Sequence, residues 1–314
     1  MTFRDVFYFF RRTQQGQQFK PVILITGCAS GIGLALAKLL VKKEQYRLVL
    51  TAREKSIGSL KNQFREDQRV WIRPLDVTSE DQRLALIHEI ETKWGGVNVL
   101  VNNAGISYRS VVEHMSDQEE LAQLNVNYLG PMALIKRVLP LMRLKGRGKI
   151  INVSSVSGML AMPTMASYSA SKYALEGASE SLWYETRPFG IDICLVQPGF
   201  VRSSSFENVY YSHLSKLAMQ KDIPYSDFYE AMGPFVGKMM KKSFSTAEDV
   251  ARKILWAIQK EAPPLWIPAT YDAYIFYYLR RLMPRRLLLP FLFLCLPGAR
   301  HWGKRHTHKR ARQG

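Results

Sequence analysis

The sequence has few cysteines and no long apolar run. Its three cysteines, Cys28, Cys194 and Cys295, are widely spaced and form no CxxC pair, which argues against a disulfide framework or a zinc site. This cysteine usage indicates a reducing compartment such as the cytoplasm. The longest clean apolar run, 287–297, is eleven residues with two prolines, whereas a membrane-spanning helix needs about 20 apolar residues. A transmembrane span is therefore not expected.

Acidic residues are scarce near the C terminus, so much of the protein's net positive charge lies there. The 314 residues contain 44 Lys and Arg against 26 Asp and Glu, for a net charge of +18. Residues 269–314 contain ten basic residues and one acid, Asp272, so they contribute +9 of that charge. No zinc-finger, RRM or helix-turn-helix pattern accompanies the basic residues. We expect no nucleic-acid partner, and because no HExxH pattern is present we expect no metal site.

Apolar runs alternate with helical patterns from Pro21 onward. The predicted strands are "VILIT", "RLVLT", "VWIRPL", "VNVLVN", "KIINVS", "DICLVQP" and "PLWIPA". Near-continuous apolar runs indicate strands that are covered on both faces, as in a parallel sheet. The predicted fold class is therefore α/β, a single doubly wound Rossmann-type domain whose mainly parallel sheet is flanked by helices.

Helix starts are marked by capping-box spacings. Ser79 and Gln82 have this spacing, and so do Ser245 and Glu248. The buried faces that we expect to follow consist of Leu84, Ile87, Ile90 and Trp94 in the first helix and of Val250, Ile254 and Ile258 in the second.

Three segments are predicted along the chain. Residues 1–19 form a short N-terminal arm, and residues 20–268 form one catalytic domain that no linker divides. Within that domain, residues 206–244 are rich in aromatic side chains and methionines and are expected to form a substrate lid. Residues 269–314 form an apolar and basic C-terminal extension.

A glycine-rich loop, "TGCASGIG" at 26–33, joins the first predicted strand to a helix. Gly27, Gly31 and Gly33 allow a tight turn and let the backbone approach a pyrophosphate, which then lies at the positive N-terminal end of the helix. Ser30 and Ile32 belong to the same predicted cofactor loop. The spacing is GxxxGxG, and a glycine-rich turn without a ligand stays an alternative.

The second strand ends in "LVLTAREK", so the first charged residue after it is Arg53. In NAD-binding proteins an acid near this place holds the ribose 2′-hydroxyl, whereas an arginine pairs with a 2′-phosphate. The sequence therefore favours NADP(H). If Arg53 is solvated and Glu54 turns inward, the protein would prefer NAD(H).

A tyrosine and a lysine lie four positions apart in "ASYSASKYALEG" at 166–177. On a helix this spacing puts Tyr168 and Lys172 on one face, although such a pair also arises by chance. Ketone reduction needs a proton donor at the developing alkoxide, and a free tyrosine has a pKa near ~10. We expect the charge of Lys172 to favour the phenolate and to lower the pKa of Tyr168.

Seven motifs follow one another along the predicted fold. They are "TGCASGIG" at 26–33, "DVT" at 76–78, "NNAG" at 102–105, "NVNYLG" at 125–130, "INVSSVSG" at 151–158, "YSASK" at 168–172 and "QPGFV" at 197–201. With these motifs, residues 20 to about 268 resemble the short-chain dehydrogenase/reductase family. The resemblance implies an enzyme that transfers a hydride between a nicotinamide cofactor and a CH–OH or C=O group.

The resemblance also implies roles for individual residues. Asn127, Ser155, Tyr168 and Lys172 would be the catalytic tetrad, with Ser155 lying thirteen residues before Tyr168 as the family requires. Ser155 would bind the substrate oxygen, Lys172 would also hold the nicotinamide ribose, and Asn127 would anchor a water that links Lys172 to solvent. Further implied cofactor contacts are Asp76, Val77, Asn103, Ala104, Gly105, Pro198, Gly199 and Val201. Ser203 stands where the family often has a threonine that contacts the nicotinamide amide.

The lid and the extension suggest what the protein acts on and where. The aromatic and thioether side chains of the lid favour a lipophilic substrate of the steroid, retinoid, 3-oxo lipid or 3-ketosphinganine type, unless they only pack the lid onto the domain. Arg280, Arg281, Arg285 and Arg286 among apolar residues indicate a peripheral, in-plane membrane contact. Packing of the extension against its own domain or a second subunit stays open, so a homo-oligomer is not excluded.

Two other classes of protein compete with this interpretation. One is a non-enzymatic nucleotide-binding scaffold that works at membranes, which would be expected to have lost part of the tetrad. The other is a nucleotide-sugar epimerase of the related longer type, which would need a larger C-terminal substrate domain than residues 269–314 provide.

Overall fold

The computed structural model describes residues 20–202, 209–221 and 223–303. The predicted N-terminal arm, Ser203, Phe206 and the basic residues after 303 lie outside the described residues.

Seven parallel strands form one sheet in the order β3-β2-β1-β4-β5-β6-β7. They are β1 (Val22–Ile25), β2 (Arg47–Ala52), β3 (Val70–Pro74), β4 (Val99–Asn102), β5 (Gly148–Val153), β6 (Ile191–Gln197) and β7 (Trp266–Pro268). Each coincides with one of the seven predicted runs to within a residue at its ends, except that β4 and β7 begin later than their runs, and the predicted doubly wound α/β fold is confirmed.

Helices connect the strands and cover both faces of the sheet. They are α1 (Gly31–Val41), α2 (Glu54–Lys61), α3 (Glu80–Trp94), α4 (Asp117–Leu124), α5 (Gly130–Leu144), α6 (Ala166–Thr186), α7 (His213–Gln220), α8 (Ser226–Lys242), α9 (Ala247–Gln259), α10 (Tyr271–Leu282) and α11 (Arg285–Cys295). A π-helical turn, Asn125–Leu129, joins α4 to α5, and short 3₁₀ turns lie at Val112–His114, Val156–Gly158, Arg187–Phe189 and Ala299–His301.

The core lies in two layers because successive strand residues point to opposite faces. Ile23 and Ile25 of β1 pack with buried side chains of α1, α2 and α9. Val22 and Leu24 of the same strand pack with those of α3, α5 and α6. All four strand residues are buried, as the continuous apolar run predicts.

The start of α3 differs in detail from the prediction. Ser79 accepts a hydrogen bond from the Gln82 backbone N–H, but the Gln82 side chain accepts from the Asp76 N–H at 2.6 Å and does not complete the box. Leu84 is 38% exposed, and Leu86 is buried in its place beside Ile87 and Ile90. The helix begins at the predicted cap, but its packing against the core turns Leu86 inward and leaves Leu84 towards solvent.

The box at the start of α9 lies one residue later than predicted. Thr246 and Asp249 form it, with both reciprocal hydrogen bonds. The Ser245 carbonyl accepts from the Arg202 N–H at 2.8 Å, so tertiary pairing holds Ser245 outside the helix. Val250, Ile254 and Ile258 are buried, as predicted.

The C-terminal extension has one packed side and one exposed side. Thr270 caps α10, and Ala273 and Leu288 pack against the loop after β5 through Val156, Met159 and Leu160. Large apolar side chains cover the opposite side and are exposed, namely Tyr271, Tyr274, Ile275, Tyr278, Leu282, Leu287, Leu289, Phe291, Phe293 and Leu294. Among the described residues, no helix combines the length and apolar character that crossing a bilayer requires.

Candidate active site

A cleft of about 430 Å³ opens at the carboxyl ends of the central strands. It lies where β1 has β2 on one side and β4 on the other, which is the position at which doubly wound sheets bind ligands. The predicted site residues that line it are Gly27, Ser30, Gly31, Ile32, Arg53, Asp76, Val77, Asn103, Ala104, Gly105, Ser155, Tyr168, Lys172, Pro198, Gly199 and Val201. Gly33 and Asn127 lie just behind its wall and support it.

The glycine loop needs glycine for two different reasons. Gly27 and Gly31 have φ angles of +73° and +57°, a region that side-chain-bearing residues rarely adopt. At Gly33 the reason is space, because a Cβ would overlap the Gly27 carbonyl oxygen and the Asn103 amide. The backbone of the glycine loop is therefore packed closely against Asn103 and against its own first residues. This close packing leaves room for a phosphate group at the first turn of α1.

The glycine loop is fastened to the "NNAG" loop by Thr26 and Asn103. The Asn103 side-chain amide donates to the Thr26 and Gly27 carbonyl oxygens at 2.9 and 3.0 Å. In return, the Thr26 hydroxyl accepts from the backbone N–H groups of Asn103 and Ala104, both at 3.0 Å. These bonds fix two walls of the cleft relative to each other before any ligand binds.

Charge at the adenosine end of the cleft is asymmetric. Arg53 and Glu54 are both exposed at the start of α2, but Arg53 lines the cleft with Ser56 and Glu54 does not. Although burial opposes it, hydrogen bonds from Thr78 and the nearby charge of Arg53 hold the pKa of Asp76 below its usual range. Arg53 and Arg83 both act on the Asp76 carboxylate, and of these two arginines Arg53 is the one that lines the cleft.

The expected catalytic pair lies in the first two turns of α6. Lys172 is buried, its Nζ donates to the Val153 carbonyl at 2.9 Å, and it lies 5.8 Å from the centre of the Tyr168 ring. The Tyr168 phenol is hydrogen-bonded to the Ser155 side chain. The Ser155 hydroxyl also accepts from the Ser157 N–H at 3.1 Å, which orients it at the end of β5. Phenol, hydroxyl and ammonium thus meet at one place.

Asn127 lies in the π-helical turn between α4 and α5. Its amide pairs with both backbone groups of Ile106, accepting from N–H and donating to C=O at 2.9 Å each, and it donates to the Ser171 hydroxyl at 3.0 Å. A Cβ on Gly105 would lie 3.3 Å from Asn127 Oδ1 and 3.8 Å from Lys172 Nζ, which locates both groups beside Gly105. The local widening of the helix presents Asn127 to this loop.

The electrostatics of the pair differ from the expectation. Burial raises the pKa of Tyr168 above its ordinary value, and the Ser155 hydrogen bond and the charge of Arg109 only partly offset this effect. Burial also lowers the pKa of Lys172 to about 8, against which the carboxylate of Glu176 acts. The prediction that Lys172 lowers the pKa of Tyr168 was wrong for the protein by itself, because burial raises that pKa and the cation that acts against burial is Arg109.

The loop after β6 is held by the C-terminal extension. Gly199 N–H donates to the Thr270 hydroxyl and Phe200 N–H donates to Asp272 Oδ2, both at 2.8 Å. On its other side, the Pro198 carbonyl accepts from the Val156 N–H at 2.8 Å. The start of α10 therefore fixes the segment that the sequence predicts beside the nicotinamide.

The lid segment serves both as core and as cleft wall. Val209 and Met240 line the cleft, whereas Tyr229 and Met232 are buried. The Tyr229 hydroxyl is bonded to His114 Nδ1, Ser215 Oγ and the Val111 N–H at 2.9 to 3.0 Å, which joins α7 and α8 to the body. Part of the predicted aromatic set is thus packing, and in the described residues no three or more His, Cys, Asp and Glu side chains form a metal-binding group.

Three polar residues of the site were missed from the sequence. Ser56 follows Arg53 by three residues, and its position in the first turn of α2 was a readable signal. Arg109 is buried within electrostatic reach of Tyr168 and Tyr211, and its backbone N–H donates to the Tyr210 carbonyl at 2.8 Å. Glu176 lies one turn after Lys172, a spacing that was available but whose meaning depends on other strands.

Comparison with known proteins identifies relatives of the chain. The family model described as short chain dehydrogenase matches residues 21–212. A 3-ketodihydrosphingosine reductase from Bacteroides thetaiotaomicron is 37% identical over 62% of this chain and 69% of its own length. Retinol dehydrogenase 8 from Bos taurus is 34% identical over 77% of this chain and 79% of its own. 17-beta-hydroxysteroid dehydrogenase type 1 from Homo sapiens is 31% identical over 78% of this chain and 76% of its own.

Solved structures share the fold. A short-chain dehydrogenase from Streptomyces avermitilis superposes with a TM-score of 0.72 at 29% identity, covering 88% of this chain and 98% of its own. A Burkholderia phymatum structure in complex with NAD gives 0.69 at 24% identity, with coverages of 85% and 95%. A metagenomic oxidoreductase in complex with NADP gives 0.61 at 26% identity, with coverages of 80% and 98%. Both cofactors thus occur among structures with this fold.

Proposed function

Because the chain belongs to the short-chain dehydrogenase family, we propose that it is an NADP(H)-dependent oxidoreductase acting on a carbonyl or secondary alcohol of a lipophilic substrate. The observation that carries the proposal is the single cleft in which the glycine loop, Ser155, Tyr168 and Lys172 meet. The walls fit a dinucleotide, because Gly27, Ser30 and Gly31 line the cleft at the N-terminal end of α1, where backbone N–H groups and the helix dipole favour a pyrophosphate.

In this mechanism a bound nicotinamide supplies or accepts the hydride, and the protein handles the proton. Ser155 donates a hydrogen bond to the substrate oxygen and stabilises the charge that develops there. Tyr168 gives its phenolic proton to the same oxygen during reduction and takes it back during oxidation. Lys172 favours the phenolate through its charge and, by resemblance, holds the ribose. Its charge is present below a pKa of about 8, so protonated lysine is the form at neutral pH.

The preference for NADP(H) rests on the adenosine end of the cleft. Arg53 and Ser56 line it at the first turn of α2, and Glu54 does not. A 2′-phosphate would find there a cation, a hydroxyl and the N-terminal end of a helix, all of which favour negative charge.

A lipophilic substrate is supported by the lid and by the names of the relatives. Val209 and Met240 add apolar wall to the cleft near Gly199 and Val201. The relatives named above are a 3-ketodihydrosphingosine reductase, a retinol dehydrogenase and a hydroxysteroid dehydrogenase. Steroid, retinoid and 3-oxo lipid substrates are the classes to test.

The exposed apolar side chains of α10 and α11, from Tyr271 to Leu294, form the outer face of α10–α11, which supports peripheral membrane contact. Its large apolar side chains are exposed, and Arg280, Arg281 and Arg286 lie among them. Apolar groups can enter the acyl boundary while basic groups stay at anionic headgroups, which suits an in-plane anchor.

The proposal is tested by following NADPH oxidation across lipophilic ketones, with and without liposomes. We expect Tyr168→Phe to bind NADPH as the wild type does and to lose on the order of 10²–10⁴-fold in kcat, because the proton donor is gone. Tyr173→Phe, on the exposed side of the same helix, is the matched control and should turn over normally. Equal activity of the wild type and Tyr168→Phe would refute Tyr168 as the acid. Cofactor binding without turnover of any ketone would favour the scaffold.

A further inference from the structure

Glu176 is a buried carboxylate that the catalytic tetrad does not include. It lies on α6 one turn after Lys172 and two turns after Tyr168, so the three side chains follow one face of the helix. Its exposed fraction is 7%. A buried carboxylate is costly unless hydrogen bonds or a nearby cation stabilise it, so its partners indicate why it is there.

The hydrogen bonds of Glu176 join three elements of the active site. Its Oε1 accepts from the Ser154 hydroxyl at 2.6 Å, and Ser154 is the residue before Ser155 at the end of β5. The Gln197 amide donates to both carboxylate oxygens at 2.9 and 3.0 Å, and Gln197 is the residue before Pro198 at the end of β6. One carboxylate therefore ties the helix of the tyrosine and lysine to the two strand ends that carry the serine and the predicted nicotinamide loop.

A glycine makes room for this carboxylate. A Cβ on Gly158 would overlap Glu176 Oε1 and would lie 2.7 Å from the Ser154 hydroxyl oxygen. Gly158 ends the 3₁₀ turn that begins directly after Ser155. The 3₁₀ turn after Ser155 is thus packed against the Glu176 carboxylate, and Ser154 is hydrogen-bonded to the same group.

The charged and titratable groups around Glu176 come from several elements. Lys172 and Glu180 lie on its own helix, Tyr168 lies at the start of that helix, and Arg109 approaches Tyr168 from the loop after β4. From β5 and β6 it meets only the neutral side chains of Ser154 and Gln197. Lys172 is the cation whose charge acts on Glu176, and it is also the group that the reaction needs charged.

We propose that Glu176 is a positioning residue that keeps Lys172 protonated and holds the ends of β5 and β6 in register with the catalytic helix. The proposal rests on the proposed function, since it assigns Glu176 to the reaction of Tyr168 and Lys172. The carboxylate offsets the cost of burying the ammonium, and its three hydrogen bonds fix where Ser155 and Pro198 lie relative to the phenol.

The consequence is a defined pH window. Burial lowers the pKa of Lys172 to about 8, and the charge of Glu176 acts in the opposite direction. Burial also raises the pKa of Glu176, which the Ser154 and Gln197 hydrogen bonds limit. Both groups are charged from the raised pKa of Glu176 up to the pKa of Lys172 of about 8. Without the carboxylate, the ammonium loses its proton at a lower pH.

The test compares pH profiles of the wild type and Glu176→Gln. Glutamine keeps the size and removes the charge, and Gln197 Oε1, which has no hydrogen-bond partner among the described residues, can accept from the new amide after rotation. We expect the alkaline limb of kcat/KM to move down by ~0.5–1 pH unit, because the charge beside Lys172 is gone. The dissociation constant of NADPH, measured by nicotinamide fluorescence, should begin to rise at the same lower pH.

Two further variants separate charge from geometry. Glu180→Gln removes a charge one turn further along α6, on an exposed residue that does not act on Lys172, and should leave the alkaline limb of both profiles unshifted. Ser154→Ala removes one hydrogen bond but keeps the carboxylate, so it should lower kcat several-fold without moving the alkaline limb. If Glu176→Gln does not fold, as judged by circular dichroism, Ser154→Ala alone decides, and an unchanged kcat overturns the proposal.

The outcomes distinguish this proposal from the proposed function. Glu176→Gln profiles that coincide with those of the wild type, in both turnover and NADPH binding, would overturn the role of Glu176 and leave the proposed function intact. Absence of any carbonyl turnover in the wild type would refute the proposed function. In that case the NADPH-binding profiles still decide whether Glu176 holds the charge of Lys172.

Discussion

The cleft at the strand ends and the outer face of α10–α11 differ in whether their side chains are buried and paired or exposed. Lys172, which lines the cleft, and Asn127 and Glu176, which do not, are buried and hydrogen-bonded to other parts of the chain. On the outer face, Tyr271 and Leu282 are 77% and 79% exposed. The first region is completed by the fold itself, whereas the second offers apolar area that the domain leaves uncovered.

This difference indicates which properties belong to the isolated chain. A site whose polar groups are already paired is preorganised, so it can bind and orient a ligand without further ordering. An exposed apolar surface with arginines gains free energy only when something covers it. Turnover is therefore expected to depend on the residues of the cleft, and binding to membranes is expected to depend on the outer face. Variants in the two regions should affect different measurements.

The largest effect is expected at Lys172. Replacing it with methionine removes the charge beside Tyr168, and kcat at pH 7 should fall on the order of 10²-fold or more. The wild type should approach the variant as pH rises through about 8, because the buried ammonium loses its proton there. Steady-state kinetics from pH 6 to about 10 measure both effects. A wild-type rate that stays flat across that range would contradict the assigned role of the charge.

A smaller effect is expected at Gly199, where the two regions meet. A Cβ there would overlap the Asp272 carboxylate, which accepts from the Phe200 N–H. Gly199→Ala should destabilise the fold by ~1–3 kcal/mol through this overlap and should raise the KM for the cofactor. Gly177→Ala on α6 meets nothing within 4 Å and is the control, with an expected stabilisation of ~0.5–1 kcal/mol. Thermal unfolding gives both values, and equal stability of the two variants would contradict the prediction.

Cofactor preference should respond to Arg53. With Arg53→Asp we expect the ratio of kcat/KM for NADPH over NADH to fall about tenfold or more, since a carboxylate repels a 2′-phosphate. Lys55→Asp makes the same kind of charge change two residues later, where the side chain does not line the cleft, and serves as control. An unchanged ratio in Arg53→Asp would discredit the argument for NADP(H).

The smallest expected effect concerns the outer face. Leu282→Ser combined with Leu289→Ser should weaken cosedimentation with anionic liposomes several-fold, because each leucine contributes apolar area to the contact. Activity on a water-soluble ketone should not change. Leu144→Ser is the matched control, because Leu144 is 82% exposed at the end of α5. Liposome binding that is the same in all three proteins would exclude this face as the anchor.

The fold was predictable because its signals are local. Central strands such as β1 and β4 are buried on both faces, so a continuous apolar run marks them without knowledge of their neighbours, whereas the edge strand β3 alternates between buried and partly exposed residues. The glycine loop and the Tyr168–Lys172 spacing are local too. Errors arose where a distant contact chose between adjacent residues, as at α9, where pairing of Ser245 with Arg202 moved the helix start to Thr246.

Parts of the site were hidden because their meaning comes from residues far away in the sequence. Glu176 acquires its role from Ser154 and Gln197, which are 22 and 21 positions away. Arg109 reaches the phenol because its backbone is paired with Tyr210. The sequence around a charged residue does not show which distant residues it will contact. Periodicity therefore could not have selected Glu176 or Arg109.

The sequence by itself determined the order of strands and helices, the glycine loop and the face of α6 that carries Tyr168 and Lys172. These features depend on backbone geometry and on apolar periodicity, which adjacent residues specify. The tertiary structure alone decided the pKa directions of Tyr168, Lys172 and Glu176, because burial and long-range hydrogen bonds set them. It also decided that Thr270 and Asp272 of the extension hold the loop after β6, since that contact exists only once the sheet has brought β6 and β7 together.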